Sequence, residues 1–295
     1  MKKVSRNLLL CAAALLIAGI LYYIYLPAVN IHSANFWFFI MGLLVVGMLI
    51  YVLKRAGRQI LFSDGRFVLT DQLFREQMKV LKYPGILLLA VFAVYLIGSI
   101  LSSPIVNAGK YQRLMTIEER NFTDDIAEAD YNTIPLLDKD SAAILGNRKM
   151  GSLVDMVSQF EVSNDYTQIN YQGRPVRVTP LSYASPIKWL TNNKGGIPAY
   201  ILIDMATQNT ECVKLTAGIK YSKSEYFNRY LYRHLRFRYP TYIFDDQIFF
   251  EIDEEGTPYW VCPVKKFNIG LFGGQTIGNV VLCNAVTGEC VDYAV

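Results

Sequence analysis

Long uncharged apolar segments dominate the first third of the chain. No Lys, Arg, Asp or Glu lies between Asn7 and Leu53, and a further apolar run covers Gly85–Leu101. A helix needs roughly 20 apolar residues to cross the hydrocarbon core, where every backbone group must be satisfied within the segment. The pattern therefore predicts a membrane domain over residues 1–103, with transmembrane helices at about 8–26, 36–53 and 85–101.

The loop between the second and third predicted spans, residues 54–83, has a pattern of its own. Ile60–Leu69 alternates around an Asp-Gly pair, which predicts a small hairpin. Asp71–Lys82 then places its apolar side chains on one helical face. This segment is either an interfacial helix that leads into the third span or a docking site for a cytoplasmic partner.

After residue 103 the pattern changes to polar segments and short alternating runs. Residues 104–138 are polar and irregular, and we expect a juxtamembrane arm or linker there. Turn residues such as Gln172-Gly173 and Glu255-Gly256 separate the alternating runs, which predicts strands joined by hairpins. The predicted strands lie near 157–162 continuing into 168–171, then 175–179, 198–204, 211–215, 247–252, 258–264, 279–283 and 289–293.

A predicted helix precedes each of two sets of strands. Ser222–Arg238 is the clearer one, because its first residue and Glu225 match a capping box and its apolar residues share one face. Lys139–Asp155 precedes the first set and begins with a cap at Asp140 or Ser141. A shorter helix is expected in the first set, where a serine cap is followed by Pro186.

The two sets of strands are similar in sequence. Gly173–Pro180 and Gly256–Pro263 agree at four positions, and the same offset places Ser222 on Lys139. Further on, the offset becomes smaller, first where Asp204 aligns with Asn284 and again where Cys212 aligns with Cys290, as loop deletions would produce. The sequence therefore predicts a duplication.

These patterns together predict a membrane-anchored α+β protein. Three transmembrane helices are followed by two tandem repeats, each a helix packed on a four-stranded antiparallel sheet. We expect the first repeat at residues 139–215 and the second at 216–295.

Charge is distributed unevenly along the chain. Residues 1–103 hold ten of the 29 Lys/Arg and only three of the 25 Asp/Glu. These basic residues lie at Met1–Arg6 and in the 54–83 loop, where the positive-inside rule explains them without nucleic acid. We therefore expect a cytoplasmic N-terminus and an extracytoplasmic part beyond Leu101. If the first span is a cleaved signal peptide, that placement does not change.

His234 is the one histidine after residue 103. An enzyme would need it as a general base, paired with Asp245 or Asp246. The sequence has no recognisable nucleophile motif or third partner, so we expect no catalytic residue and no cofactor. Because His234 has no companions at metal-ligand spacing along the chain, we also expect no metal site.

Four cysteines follow the membrane domain, at positions 212, 262, 283 and 290. Outside the cytoplasm an even number of cysteines can form disulfides. Cys283 and Cys290 flank the Thr287-Gly288 turn and could face one another as a disulfide. Free buried thiols are the alternative, and the sequence leaves the state of Cys212 and Cys262 open as well.

Basic and aromatic residues that the first repeat does not share mark the expected binding surface. The segment Lys266–Gly278 is predicted to be a loop, and we expect its Leu-Phe-Gly-Gly part to be exposed. Arginines combined with aromatic rings would suit an anionic or glycan wall polymer, or an envelope protein. The alternative is that they are core aromatics and a solvated helix face. The candidate residues are Arg229, Arg233, Arg236, Arg238, Tyr259, Trp260, Leu271, Phe272, Gly273 and Gly274.

The hairpin Asn284–Glu289, with the sequence Asn-Ala-Val-Thr-Gly-Glu, and its variant at Asp204–Asn209 resemble an element of PepSY-type, cystatin-like modules of bacterial envelope proteins. The variant lacks glycine after Thr207. The resemblance implies a non-catalytic module that binds or restrains an envelope partner, often a peptidase. The whole chain is also similar to uncharacterised multi-span membrane proteins of Gram-positive bacteria.

We therefore expect a non-catalytic binding or regulatory module, anchored in the plasma membrane of a bacterium and facing outwards. Its expected partners are the lipid bilayer and an envelope protein, a peptidase or a wall polymer. Two other classes stay open. One is an envelope hydrolase that uses His234 with an acidic residue, and the other is a structural subunit of a larger membrane complex.

Overall fold

The computed structural model describes residues 2–60, 71–115, 117–125, 131 and 134–295. The chain forms two compact units, one of Met1–Met115 with Phe267–Gln275 and one of Thr116–Lys266 with Thr276–Val295. The helices are α1 Lys2–Tyr25, α2 Ala34–Ile60, α3 Asp71–Leu101, α4 Pro104–Gln112, α5 Phe122–Asp125, α6 Lys139–Gly151, α7 Pro186–Asn192 and α8 Leu231–Arg238. The strands are β1 Phe160–Val162, β2 Thr167–Tyr171, β3 Arg174–Tyr183, β4 Ile197–Asp204, β5 Thr210–Ile219, β6 Phe249–Ile252, β7 Pro258–Ile269, β8 Gly273–Asn284 and β9 Cys290–Ala294.

The first unit contains the apolar helices. Two of them are long and apolar enough to cross a membrane, over Ala34–Val52 in α2 and Leu81–Leu101 in α3, whereas the described apolar part of α1, Ala12–Tyr25, is shorter. Helix α3 begins at Asp71 and continues through Pro84, so the predicted amphipathic segment and the third apolar run form one helix. The hairpin predicted at Ile60–Leu69 lies outside the described residues after Ile60, which ends α2.

The second unit is an α+β structure with two antiparallel sheets. The first sheet has five strands in the order β1-β3-β4-β5, with β2 also paired to β3. The second sheet has four strands in the order β6-β7-β8-β9. Each sheet follows a helix in the chain, α6 before the first and α8 before the second. The first strand predicted for the first sheet, near 157–162 and continuing into 168–171, forms two separate strands, β1 and β2. They pair with different parts of β3.

The segment Lys266–Gly278 is not a loop, and this prediction was wrong. Strands β7 and β8 extend through it to Ile269 and from Gly273, so that only a tight turn remains between them. Gly270 and Gly274 have φ values of 60° and 61°, a conformation that glycine adopts without the steric cost of a Cβ. Glycines that suggested an irregular loop instead allow the chain to reverse within a long hairpin.

The β4–β5 and β8–β9 hairpins have the same hydrogen bonds. The side-chain oxygen of Asp204 accepts from the backbone N–H of the second and third residues after it, at 3.0 and 2.8 Å, and Asn284 does the same at 2.9 Å for both. Two residues before the next strand, Gln208 and Gly288 both have positive φ, 61° and 76°. An Asx turn followed by a left-handed residue therefore closes both hairpins.

This shared geometry corrects the alignment of the last strands. Cys283 lies opposite Cys290 in β8–β9, and Ile203 lies opposite Thr210 in β4–β5. The two hairpins have equal length, so no loop deletion separates them. The residue of the first sheet that corresponds to Cys290 is therefore Thr210 rather than Cys212.

The helix predicted over Ser222–Arg238 is much shorter in the structure. A 3-10 turn covers Phe227–Arg229, and α8 begins only at Leu231. The predicted capping box does not form, because the carboxylate of Glu225 accepts from Tyr183 Oη at 2.9 Å and from Trp189 Nε1 at 2.7 Å. Tertiary partners thus replace the backbone amide that a capping glutamate would bind.

The caps of the first sheet's helices are only partly as predicted. Helix α6 is capped by Asp138, whose carboxylate accepts from Ser141 N at 2.7 Å, and not by Asp140 or Ser141. Helix α7 is capped by Ser185, as its Ser-Pro sequence predicts. The Ser-Pro pair thus identified the cap of α7, whereas several polar residues in a row left the start of α6 ambiguous.

Candidate functional sites

Three of the four predicted arginines bind backbone carbonyls close to them. Arg229 donates to Asn193 O at 2.6 Å, Arg233 to Phe227 O at 2.7 Å, and Arg236 to Tyr242 O at 2.6 Å. Arg238 is exposed. The Arg233 and Arg236 guanidinium groups thus bind the segments on either side of α8, and Arg229 binds the end of α7. Part of their hydrogen-bonding capacity is therefore used inside the fold.

The two predicted aromatic residues on β7 point to opposite sides of the strand. Trp260 is fully buried, and its indole N–H donates to Tyr221 O at 2.8 Å. Tyr259 is half-buried and lines a shallow groove on the second sheet together with Glu251, Leu282 and Tyr293. Because neighbouring residues of a strand face opposite sides, only Tyr259 can present its ring to a ligand.

The Leu-Phe-Gly-Gly segment belongs to the first unit and is packed there, so it is not the exposed apolar loop that was predicted. The backbone N–H of Phe272 donates to Ser102 Oγ at 3.1 Å, and His32 Nδ1 lies 2.8 Å from Leu271 O. A Cβ on Gly273 would overlap the Ser102 carbonyl. Gly274 N donates to the hydroxyl of Tyr111 at 3.1 Å. Within this unit, Gly273 permits a close backbone approach to the end of α3, and Gly274 leaves room for the side chain of Ile269.

A cleft of about 660 Å³ lies between the first sheet and the turns of the second sheet. Tyr200 Oη donates to Gly256 O at 3.1 Å, and Gln172 N donates to the Glu254 carboxylate at 3.0 Å, so hydrogen bonds between the two sheets hold its base. Its charged lining residues have both signs: Arg174, Asp204, Glu211, Lys214 and Glu255.

One wall of this cleft is the edge strand β5. Among the described strands β5 pairs only with β4, and its residues from Val213 to Ala217 line the cleft. A register shift in the β4–β5 ladder lies between Lys214 and Ile219, so the strand is irregular where it borders the cleft. Unpaired backbone N–H and C=O groups along such an edge can bind another extended chain.

Inside the second sheet, the fold brings His234 next to two thiols. The imidazole of His234 and the sulfurs of Cys283 and Cys290 have potential ligand atoms that all lie within 4.8 Å of one another. His234 Nε2 is 2.7 Å from Gly288 O, and Cys290 Sγ donates to the same carbonyl at 3.5 Å. Both cysteines are buried, and all four cysteines after α3 are free thiols in the structure.

These three groups influence each other's protonation. The hydrogen bond from Cys283 and the contact with His234 lower the pKa of the Cys290 thiol. The pKa of Cys283 is raised by its hydrogen bond to Cys290 and by burial. The pKa of His234 is raised, mainly by its hydrogen bond with Cys290. The protonation equilibria of the three groups are therefore coupled.

The acids proposed as partners of His234 lie elsewhere. Asp245 and Asp246 both pair with Lys265, at 3.4 and 3.3 Å. The histidine–acid pair that the hydrolase hypothesis requires is thus not formed among the described residues.

The sequence did not indicate the cluster, because its members are far apart in the chain. Strands β6 and β7 lie between His234 and Cys283, and only the packing of α8 on β8 and β9 joins them. The one available signal was the cysteine pair across the Thr287-Gly288 turn, which predicts two facing thiols. The expectation of no metal site was based on spacing along the chain and did not include residues that the fold brings together.

Comparisons of this chain with models of protein families, with curated proteins and with solved structures found no match. Function must therefore be argued from the geometry of these sites.

Proposed function

We propose that this protein is a membrane-anchored, non-catalytic binding module that holds an extended segment of an envelope protein in the cleft between its two sheets. The observation that carries the proposal is the unpaired edge of β5 inside that cleft. An extended peptide could add to this edge by main-chain hydrogen bonds, while the cleft receives alternate side chains.

The membrane part of the proposal is three transmembrane helices in a bacterial plasma membrane, with the N-terminus inside and the sheets outside. Its support is the presence of two helices of sufficient length and apolarity, together with the basic residues at Met1–Arg6 and in the 54–83 loop.

The two sheets are, in this proposal, tandem PepSY-like repeats. Equivalent hydrogen bonds support the duplication in addition to the matching hairpins. Met205 N donates to Pro175 O, and Ala285 N donates to Pro258 O, both at 2.9 Å. The two prolines align with each other in the sequence match of Gly173–Pro180 with Gly256–Pro263, and each lies at the start of the long central strand of its sheet.

A polypeptide suits the cleft better than an anionic polymer does. Its lining contains acidic as well as basic residues, and Arg174 is already 3.5 Å from Asp204. Val176, Leu202 and Val213 add apolar surface for side chains. A uniformly anionic chain would meet like charges at Glu211 and Glu255, whereas a peptide of mixed polarity would not.

The test is a pull-down of the tagged full chain from crosslinked envelopes of its host. Ala217 is exposed and lines the cleft, so Ala217→Arg should fill the cleft without disturbing the core. Leu190→Arg, at an exposed site on α7, is the matched control. We expect wild type and Leu190→Arg to recover the same partner and Ala217→Arg to lose it. Recovery of the chain alone, or equal recovery by all three proteins, would contradict the proposal.

A further inference from the structure

We infer that His234, Cys283 and Cys290 form a binding site for one thiophilic metal cation of the Zn²⁺ class. The site lies within the second sheet, and its three residues are not among those that line the cleft. The inference does not depend on the proposed partner.

The geometry requires only a small contraction. Zn–S and Zn–N bonds of about 2.3 and 2.0 Å place the ligand atoms of a tetrahedral site roughly 3.3–3.8 Å apart. The potential ligand atoms of the three residues lie within 4.8 Å of one another before any ion is bound. A movement of about 1 Å, which side-chain rotation supplies, would therefore be sufficient.

The donor set selects the class of ion. Two sulfurs and one imidazole nitrogen favour soft and borderline cations, whereas Mg²⁺ and Ca²⁺ prefer oxygen ligands. Three protein ligands leave a fourth position of a tetrahedral ion for water or another small ligand.

The two sulfurs of the site are buried, and the hairpin holds its histidine in place. Cys283 is fully buried and Cys290 is 6% exposed, so the sulfurs are shielded from most of the solvent. Metals bind cysteine as the thiolate, so binding of the ion would release the thiol protons. The contact of His234 Nε2 with Gly288 O at 2.7 Å holds the ring against the β8–β9 hairpin.

The first sheet indicates that the fold itself does not require these residues. Ile203 and Thr210 occupy the places of Cys283 and Cys290, and Gly151 aligns with His234 at the offset that matches the two helices. Thr210 Oγ1 donates to Gln208 O at 3.2 Å, as Cys290 Sγ donates to Gly288 O at 3.5 Å. An apolar residue and a hydroxyl are therefore enough to build this part of a sheet. We infer that the two thiols serve metal binding rather than folding.

The test is a titration of the full chain, purified in detergent with a phosphine reductant, using Co²⁺ as a spectroscopic probe and Zn²⁺ as its competitor. We expect one Co²⁺ per chain, with sulfur-to-cobalt charge-transfer bands that Zn²⁺ abolishes. His234→Gln, Cys283→Ser and Cys290→Ser should each weaken Zn²⁺ binding by about 100-fold or more, since loss of even an outer partner of a metal ligand costs 10–100-fold.

Cys212→Ser is the matched control, because Cys212 is a free thiol in the first sheet. It should leave Zn²⁺ affinity unchanged, and circular dichroism should show that every variant is folded. The inference fails if reduced wild type binds no stoichiometric Co²⁺, or if Cys290→Ser binds Zn²⁺ as tightly as wild type. It also fails if protein alkylated during isolation without reductant contains a Cys283–Cys290 disulfide.

Discussion

The two sheets of the second unit use the same backbone arrangement with different side chains. In the first sheet, Arg177 Nε donates to Leu137 O at 3.1 Å. Its counterpart in the second sheet is Trp260, whose indole N–H donates to Tyr221 O at 2.8 Å. One position thus fixes the segment before the helix in both sheets, once with a partly exposed cation and once with a buried ring. The hydrogen bond is the common requirement, and the choice of side chain is free to follow the local packing.

The largest expected difference between the sheets is at this pair of residues. Trp260→Ala should lower the free energy of unfolding by about 3–5 kcal/mol, because a large buried ring leaves a cavity. Arg177→Ala removes a hydrogen bond from a half-buried group and should cost about 1–2 kcal/mol. Denaturant unfolding of the full chain in detergent measures both values. Equal losses would contradict the idea that the two side chains differ in packing and share only the hydrogen bond.

Glu225 does not cap a helix but binds Tyr183 of β3 and Trp189 of α7. Its removal should have the next largest effect on stability. Glu225→Ala leaves the donors of Tyr183 and Trp189 unpaired and should cost about 1.5–3 kcal/mol. Glu225→Gln can keep both bonds, because the tyrosine hydroxyl can rotate and accept. If Glu225→Gln at low pH loses as much stability as Glu225→Ala, this account is contradicted.

The same residue predicts a pH dependence. Burial raises the pKa of Glu225 in the folded protein. A raised folded pKa means that the stabilisation from this group is fully present below its unfolded pKa of about 4.3 and is lost as pH rises through the folded pKa. Wild type should therefore lose stability relative to Glu225→Gln as the pH rises from about 4.3 towards the raised folded pKa. Thermal unfolding of both proteins across this range measures the difference, and parallel curves would contradict it.

Exchange of the thiol pair for a β-branched apolar residue and a threonine, the types that the first sheet has at Ile203 and Thr210, should have a smaller effect on folding. Cys283→Val with Cys290→Thr keeps the volume and the hydrogen bond to Gly288 O, so we expect a loss of at most about 1.5 kcal/mol. The double variant should nevertheless bind no Zn²⁺. A chain that fails to fold after this exchange would show that the thiols are needed for the core itself.

The smallest predicted effect concerns the hairpin turns. Gln208 of the first sheet has a φ of 61°, and the equivalent residue of the second sheet is Gly288, with a φ of 76°. Gln208→Gly should raise the free energy of unfolding by about 0.5 kcal/mol, because glycine adopts this conformation without steric cost. Gly288→Ala should have the opposite sign and be larger, since its Cβ would overlap the ring of Tyr221. Unfolding curves of the two variants provide the comparison.

Local signals predicted much of the fold. The apolar runs, most strands, the Ser185 cap and the facing of Cys283 and Cys290 all depend on residues close in the chain. The errors arose where tertiary contacts override local preference. Glu225 binds two distant aromatic residues instead of capping a helix, and the glycines after β7 serve a hairpin instead of a loop. The His234 cluster and the cleft could not be predicted, since each requires segments that only the fold brings together.

The central claim is that the edge of the first sheet, which lines the cleft, binds a polypeptide partner. The equivalent edge of the second sheet, β9, contributes no residue to that cleft, so we expect no partner there. Lys214 on β5 and Ala294 on β9 are matched positions, because they pair with Ala199 and Asn279, which occupy equivalent places in β4 and β8. The most direct measurement places a photoreactive benzophenone side chain at either position of the full chain in host membranes. We predict a discrete crosslinked adduct with another polypeptide from position 214 and none from position 294. Adducts of equal yield from both positions, or none from position 214, would contradict the claim.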